Sequence, residues 1–318
     1  MHIRFDRLSR VPLRPATSSF CTRAASGLIT SGDSYTDTGF DVNGQQPTAD
    51  DPLGNPLYPG HTSSNGPNWI DYLTVQYNAS LVQTVNLAVG GATTDPDVVD
   101  PYLPIVPSVK QQVFERFLPQ YGSKPASYPW ASDDTLFAFF TGINDVANSW
   151  SKETRPMYDK AFSTYRDLVD AIYQAGGRNF LFLNVPPIQK SPFGVMVASL
   201  QRGPYAAAVH DWNERIATLA SNLTATYADA SATVFDSYDL FNKVIDNPCS
   251  NTLTCAYKDT ANYCTAYQSG TPAPDTKDPS CEFAADEYLW LNSFHPTFRV
   301  HQAMAQAIAG QLMIHGCY

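Results

Sequence analysis

The chain has 318 residues, 43% of them hydrophobic and 16% charged, and a formal net charge of −10. That length and composition supply a sizeable core and exclude a disordered chain. The negative balance argues against nucleic acid or an anionic membrane as partner, and no apolar run reaches the ~18 residues of a membrane span.

The first 26 residues differ from the rest, with Arg4, Arg7, Arg10, Arg14 and Arg23 against the single acid Asp6. This basic arm lacks the apolar centre of a secretory signal and is expected to be disordered or processed. The apolar run Gly27-Leu28-Ile29-Thr30 then predicts a buried strand, cut short by Ser31-Gly32-Asp33-Ser34. A loop over 40–66 follows, with four prolines and four glycines, in which Tyr58, His61 and Asn65 are candidates to line a binding surface. A helix is expected from Pro67, with the proline near its first turn, and a second strand over 81–89 running into Gly90-Gly91-Ala92. Ser108 is placed as the cap of a helix that Pro119 ends.

Thr135 to Phe140 is uniformly apolar, as in a strand buried on both faces, and ends in Thr141-Gly142-Ile143-Asn144-Asp145. A long amphipathic helix over 158–175 stops at Gly176-Gly177, and 179–185 is the fourth strand. A helix over 204–227, a short strand over 233–235 and a last helix opened by His295-Pro296-Thr297 complete the pattern. Strands alternating with helices of this length predict a parallel five-stranded sheet covered on both sides, in one domain over 27–318.

Of the six cysteines, Cys249, Cys255, Cys264, Cys281 and Cys317 crowd the last quarter. The segment 247–281 is irregular and gains from cross-links, and its spacings do not fit zinc. Four of these cysteines allow three pairings, which spacing does not resolve. Sequons at Asn78 and Asn222 join the cysteines in favouring secretion.

Three polar motifs directly follow predicted strands, where an open parallel sheet keeps its ligand site. A fourth, Asn292-Ser293-Phe294-His295, precedes the last helix. Each alone reads as an ordinary turn or helix start. Together they supply what acyl transfer requires. Ser34 is the hydroxyl nucleophile and His295 its base; the Ser34 and Gly91 N–H groups and the Asn144 amide are donors to an oxyanion.

In these four blocks, Gly32-Asp33-Ser34, Gly91, Gly142-Ile143-Asn144-Asp145 and His295, the chain resembles the GDSL or SGNH hydrolases. The text around them is similar to the fungal acetylesterases of carbohydrate esterase family sixteen. The likeness is carried by Ser31 to Phe40, Pro52-Leu53-Gly54-Asn55-Pro56, Asn68 to Thr74 and Ala88 to Thr93. The resemblance implies a three-layer α/β/α sandwich with a flavodoxin-like sheet. It also implies a secreted enzyme that works without a metal or cofactor, a monomer, and acetyl removal from hemicellulose-derived sugars. A lipase or longer-chain esterase on the same fold is the first alternative; a carbohydrate-binding relative with impaired catalysis is the second.

One position departs from the family pattern: Asn292 stands where an Asp three residues before the histidine is expected. Three arrangements fit this. Ser34 and His295 act as a dyad with a backbone carbonyl or Asn292 Oδ1 accepting the Nδ1 proton; Asp286 or Glu287 supplies the missing acid; or activity is lost.

Overall fold

The computed structural model describes residues 25–200 and 204–314. The basic arm up to residue 24, with Cys21, and Cys317 lie outside the described residues. Five parallel strands are observed: β1 (Gly27–Gly32), β2 (Gln83–Asn86), β3 (Thr135–Phe140), β4 (Asn179–Leu183) and β5 (Ser231–Phe235). Their order is β2-β1-β3-β4-β5. Every residue of the inner strands β1, β3 and β4 is buried, which accounts for their largely apolar sequences. The edge strand β5 alternates buried with half-buried positions.

Helices cover both faces of the sheet, making the expected α/β sandwich. On one side α1 (Trp69–Val75), α8 (Ser237–Asp246) and α9 (Phe298–Ile314) pack together; on the other, α5 (Thr154–Ala175) packs on α7 (Tyr205–Thr226). Between them in the chain lie α2 (Val109–Gln111), α3 (Leu118–Gln120), α4 (Ile143–Ala147) and α6 (Pro192–Leu200). None of the described helices is long and apolar enough to cross a membrane.

Several boundaries differ from the sequence reading, for identifiable reasons. Pro67 lies outside α1, because Asn68 is its N-cap and makes a capping box with Asp71. Strand β2 spans four residues rather than nine. Ser108 caps α2 as expected, but Pro119 does not end the helical segment. A π-helical stretch, Gln112–Phe117, intervenes and places Pro119 at the start of α3, where its missing N–H is not needed. Helices α4, α6 and α8 were not anticipated. The irregular segment before α9 carries two disulfides, Cys249–Cys255 and Cys264–Cys281.

Candidate active site

The order β2-β1-β3 makes β1 the point where the sheet's winding reverses, and a crevice opens beyond the carboxyl ends of the strands there. Ser34 follows β1 directly. The backbone of Gly32 at the strand's end is satisfied by the buried Gln112, whose Oε1 accepts the Gly32 N–H at 2.9 Å while its Nε2 donates to the Gly32 carbonyl at 2.9 Å. That pair fixes the exit of the chain toward Asp33 and Ser34. A Cβ on Gly32 would run into the Phe140 carbonyl of the neighbouring strand, so only glycine fits the close approach.

His295 arrives from the segment before α9, and its Nε2 lies 2.7 Å from Ser34 Oγ. Its Nδ1 lies 3.1 Å from Asn292 Oδ1. The orientation of the Asn292 amide follows from its other partners. Oδ1 accepts the backbone N–H groups of Phe294 at 3.0 Å and His295 at 2.9 Å, and Nδ2 donates to the Gln268 carbonyl at 3.3 Å. These partners place the amide oxygen, which can only accept, against the ring, so Nδ1 carries the proton and Nε2 is left to accept from the Ser34 hydroxyl. Burial, with no carboxylate beside the ring, pushes the His295 pKa down to about 4.

The substitute acids considered from sequence are engaged elsewhere. Asp286 pairs with Arg299, and Glu287 pairs with Lys258 at 2.6 Å. Neither has a hydrogen bond to His295. Of the three arrangements, the geometry is that of Asn292 Oδ1 accepting the Nδ1 proton.

The expected oxyanion donors line the same cleft as the histidine. Gly91 has φ +81°, and a Cβ there would strike Tyr102. Glycine is thus required by the turn and by Tyr102. Among the described residues neither the Ser34 nor the Gly91 N–H has a hydrogen-bond partner. Gly142, at φ +114°, has no room for a Cβ against the Trp212 indole, and this tight turn sets Asn144 in the first turn of α4. One Asn144 Nδ2 hydrogen goes to the Ala92 carbonyl at 2.9 Å, which leaves the other without a partner among the described residues. Ser34, Gly91, Asn144, Asn292 and His295 all line one cleft of about 540 Å³, together with Tyr102, Ala147, Phe193 and Phe294.

Sequence reasoning missed the residues that tie these loops together. Asp37 accepts the N–H of Gly90 at 2.7 Å and of Gly39 at 2.7 Å, joining the serine loop to the glycine loop. Asp145 accepts the Thr94 N–H at 3.0 Å, joining the glycine loop to α4. Asp33 is fully buried; its Oδ1 accepts the Tyr35 N–H, its Oδ2 has no partner among the described residues, and burial raises its pKa to about 8. Asp37 and Asp145 stand in the quoted motifs, and their short spacing to turn glycines was the available signal.

The other candidates lie close by. Tyr58, His61 and Asn65 line a second cavity, of about 680 Å³, which shares Ser63, Asn292 and His295 with the cleft. The Asn65 side chain is spent on a clamp: Nδ2 donates to Thr271 Oγ1 and Oδ1 accepts the Thr271 N–H, both at 2.8 Å.

Comparison with known proteins gives the family. Residues 28–308 match the profile of the GDSL-like lipase/acylhydrolases. An acetylesterase of Thermothelomyces thermophilus is 37% identical over 91% of this chain and 89% of its own length. A GDSL esterase/lipase of Arabidopsis thaliana is 25% identical over 81% of this chain and 67% of its own. An acetyl-xylooligosaccharide esterase variant from Geobacillus superposes with TM-score 0.48 at 14% identity, covering 93% of this chain and 96% of that one. The chain belongs to the GDSL-like lipase/acylhydrolase family and is a carboxylic ester hydrolase.

Proposed function

We propose that the protein is a serine acetylesterase that removes acetyl groups from hemicellulose-derived sugars through an acyl-enzyme. The observation that carries the chemistry is the relay Ser34 Oγ, His295 Nε2, His295 Nδ1, Asn292 Oδ1, at 2.7 and 3.1 Å, on the wall of a cleft that also holds Gly91 and Asn144. Ser34 Oγ attacks the ester carbonyl as its proton passes to His295 Nε2. The charge developing on the carbonyl oxygen is met by the Ser34 and Gly91 N–H groups and Asn144 Nδ2. His295 then protonates the departing sugar oxygen, and water, deprotonated by the same imidazole, releases acetate.

The acetyl preference is supported by the likeness to the Thermothelomyces acetylesterase, which extends over nearly the whole of both chains. Secretion is supported by the two disulfides. The sheet and all five site residues fall within 27–318, in keeping with one hydrolase domain.

A longer-chain esterase is the second reading, favoured by the Tyr102, Phe193 and Phe294 side chains in the cleft. Turnover of nitrophenyl acetate against nitrophenyl octanoate separates the two: the acetylesterase reading requires a strong preference for acetyl, and equal or better octanoyl turnover overturns it. The binding-only alternative rested on Asn292, and the orientation of its amide argues against that alternative. Acetate release from acetylated xylo-oligosaccharides tests the sugar assignment.

A further inference from the structure

The cleft and the cavity beside it differ in what lines them, and His295 stands on the boundary. The cleft side offers oxyanion donors and aromatic rings. The second cavity, about 680 Å³, lies between the loop over 58–67 and the loop over 268–274. Its size falls within the ~300–1,000 Å³ of small-molecule sites. Among the described residues no Lys, Arg, Asp or Glu lines it; its surface is made of hydroxyls, amides, prolines, glycines, Leu291, the His61 and His295 imidazoles and the Tyr58 ring, which is 45% exposed.

The walls are held in place without a ligand. Asn65 clamps Thr271 across the groove, the His61 N–H donates to the Thr38 carbonyl at 2.9 Å, and Cys264–Cys281 closes the loop that carries Gln268. A preformed wall lowers the ordering cost of binding.

We infer that this groove is the alcohol-side subsite, built for a neutral glycan whose acetylated hydroxyl reaches Ser34. The inference rests on the acetyl-sugar reading above and adds where the sugar sits and what charge it carries. The side-chain amide of Gln268 and the hydroxyl of Ser269, both exposed, match hydroxyl groups, and the exposed Tyr58 ring offers an apolar face to a pyranose. A groove with no Lys or Arg among the described residues, in a chain of net charge −10, disfavours acidic chains such as those bearing uronic acids. The position also suits the chemistry: the leaving oxygen must face His295, and the groove opens at that residue.

The test compares kcat/KM for a neutral acetylated xylo-oligosaccharide with kcat/KM for nitrophenyl acetate, in the wild type, Tyr58→Ala and Ser269→Trp. Tyr58→Ala removes the ring; Ser269→Trp, on an exposed loop residue, fills the groove without disturbing the core. Each is expected to lower the ratio of the two about tenfold. Unacetylated xylo-oligosaccharide is expected to inhibit wild-type turnover of nitrophenyl acetate competitively, and Ser269→Trp to abolish that inhibition. If the wild type cleaves the oligosaccharide and both variants keep its selectivity, the groove assignment is overturned and the acetyl-sugar reading stands. If the wild type turns over nitrophenyl acetate but no acetylated sugar, both are overturned.

Discussion

Asn292 Oδ1 lies 3.1 Å from His295 Nδ1 while also accepting the backbone N–H groups of Phe294 and His295. In a serine protease, replacing the triad's Asp by Asn costs about 10⁴ in turnover, largely because the wrong tautomer is held. Here the backbone donors and the Gln268 carbonyl fix the amide the other way round, so the productive tautomer is kept. What the site lacks is the negative charge that would stabilise an imidazolium.

That distinction predicts the outcome of two substitutions. Asn292→Asp adds the charge and is expected to raise kcat by up to about tenfold. Asn292→Ala leaves Nδ1 without an acceptor and is expected to lower kcat by about 10². Steady-state kinetics on nitrophenyl acetate decide it; equal activity of all three forms would show that Asn292 does not orient the ring.

The pH profile should carry the same signature. Burial lowers the His295 pKa to about 4, so the neutral base is present at every pH above that. The acid limb of kcat/KM is therefore expected near pH 4. In Asn292→Asp the new carboxylate favours the charged ring, and the limb should move up by about one unit or more. An acid limb at pH 6 to 7 in the wild type would contradict the placement of His295.

Gly91 and Asn144 test the oxyanion donors. Gly91→Ala forces a side chain into a left-handed turn against Tyr102, and Asn144→Ala removes an amide donor. Each should cut kcat about 10²–10³-fold with a smaller effect on KM. A loss confined to KM would assign these residues to ground-state binding instead.

The buried Asp33 predicts a dependence of stability on pH. Its folded pKa, about 8, is above the ordinary 3.8, so the folded state holds a proton that the unfolded chain gives up. The stability this confers is complete below about pH 4 and is lost as pH rises to about 8. Asp33→Asn, which cannot ionise, should show a smaller fall in Tm between pH 5 and 8 than the wild type; parallel curves would contradict this ionisation.

The sheet was legible because its inner strands are buried on both faces and leave largely apolar runs, as in Leu136–Phe140. The residues Ser34, Gly91 and Asn144 were legible because strand ends locate them, and His295 because it precedes an apolar helix. Other features depend on contacts distant in sequence. Gln112 reaches back eighty residues to Gly32, and nothing local marks it. The π-helical turn that accommodates Pro119 has no simple periodic signature. The orientation of the Asn292 amide depends on Gln268, on a loop held by a disulfide and by Asn65. A sequence shows the departure at Asn292, and only the packed loop shows that the departure preserves the tautomer.

The most direct test of the acyl-transfer account is to mix the enzyme with an acetyl ester, quench in acid and map the covalent adduct by peptide mass spectrometry. The account predicts one acetyl group on the peptide containing Ser34, absent from Ser34→Ala, which should also lose ester turnover. Undiminished acetate release by Ser34→Ala, with no acetyl group on that peptide in the wild type, would contradict it.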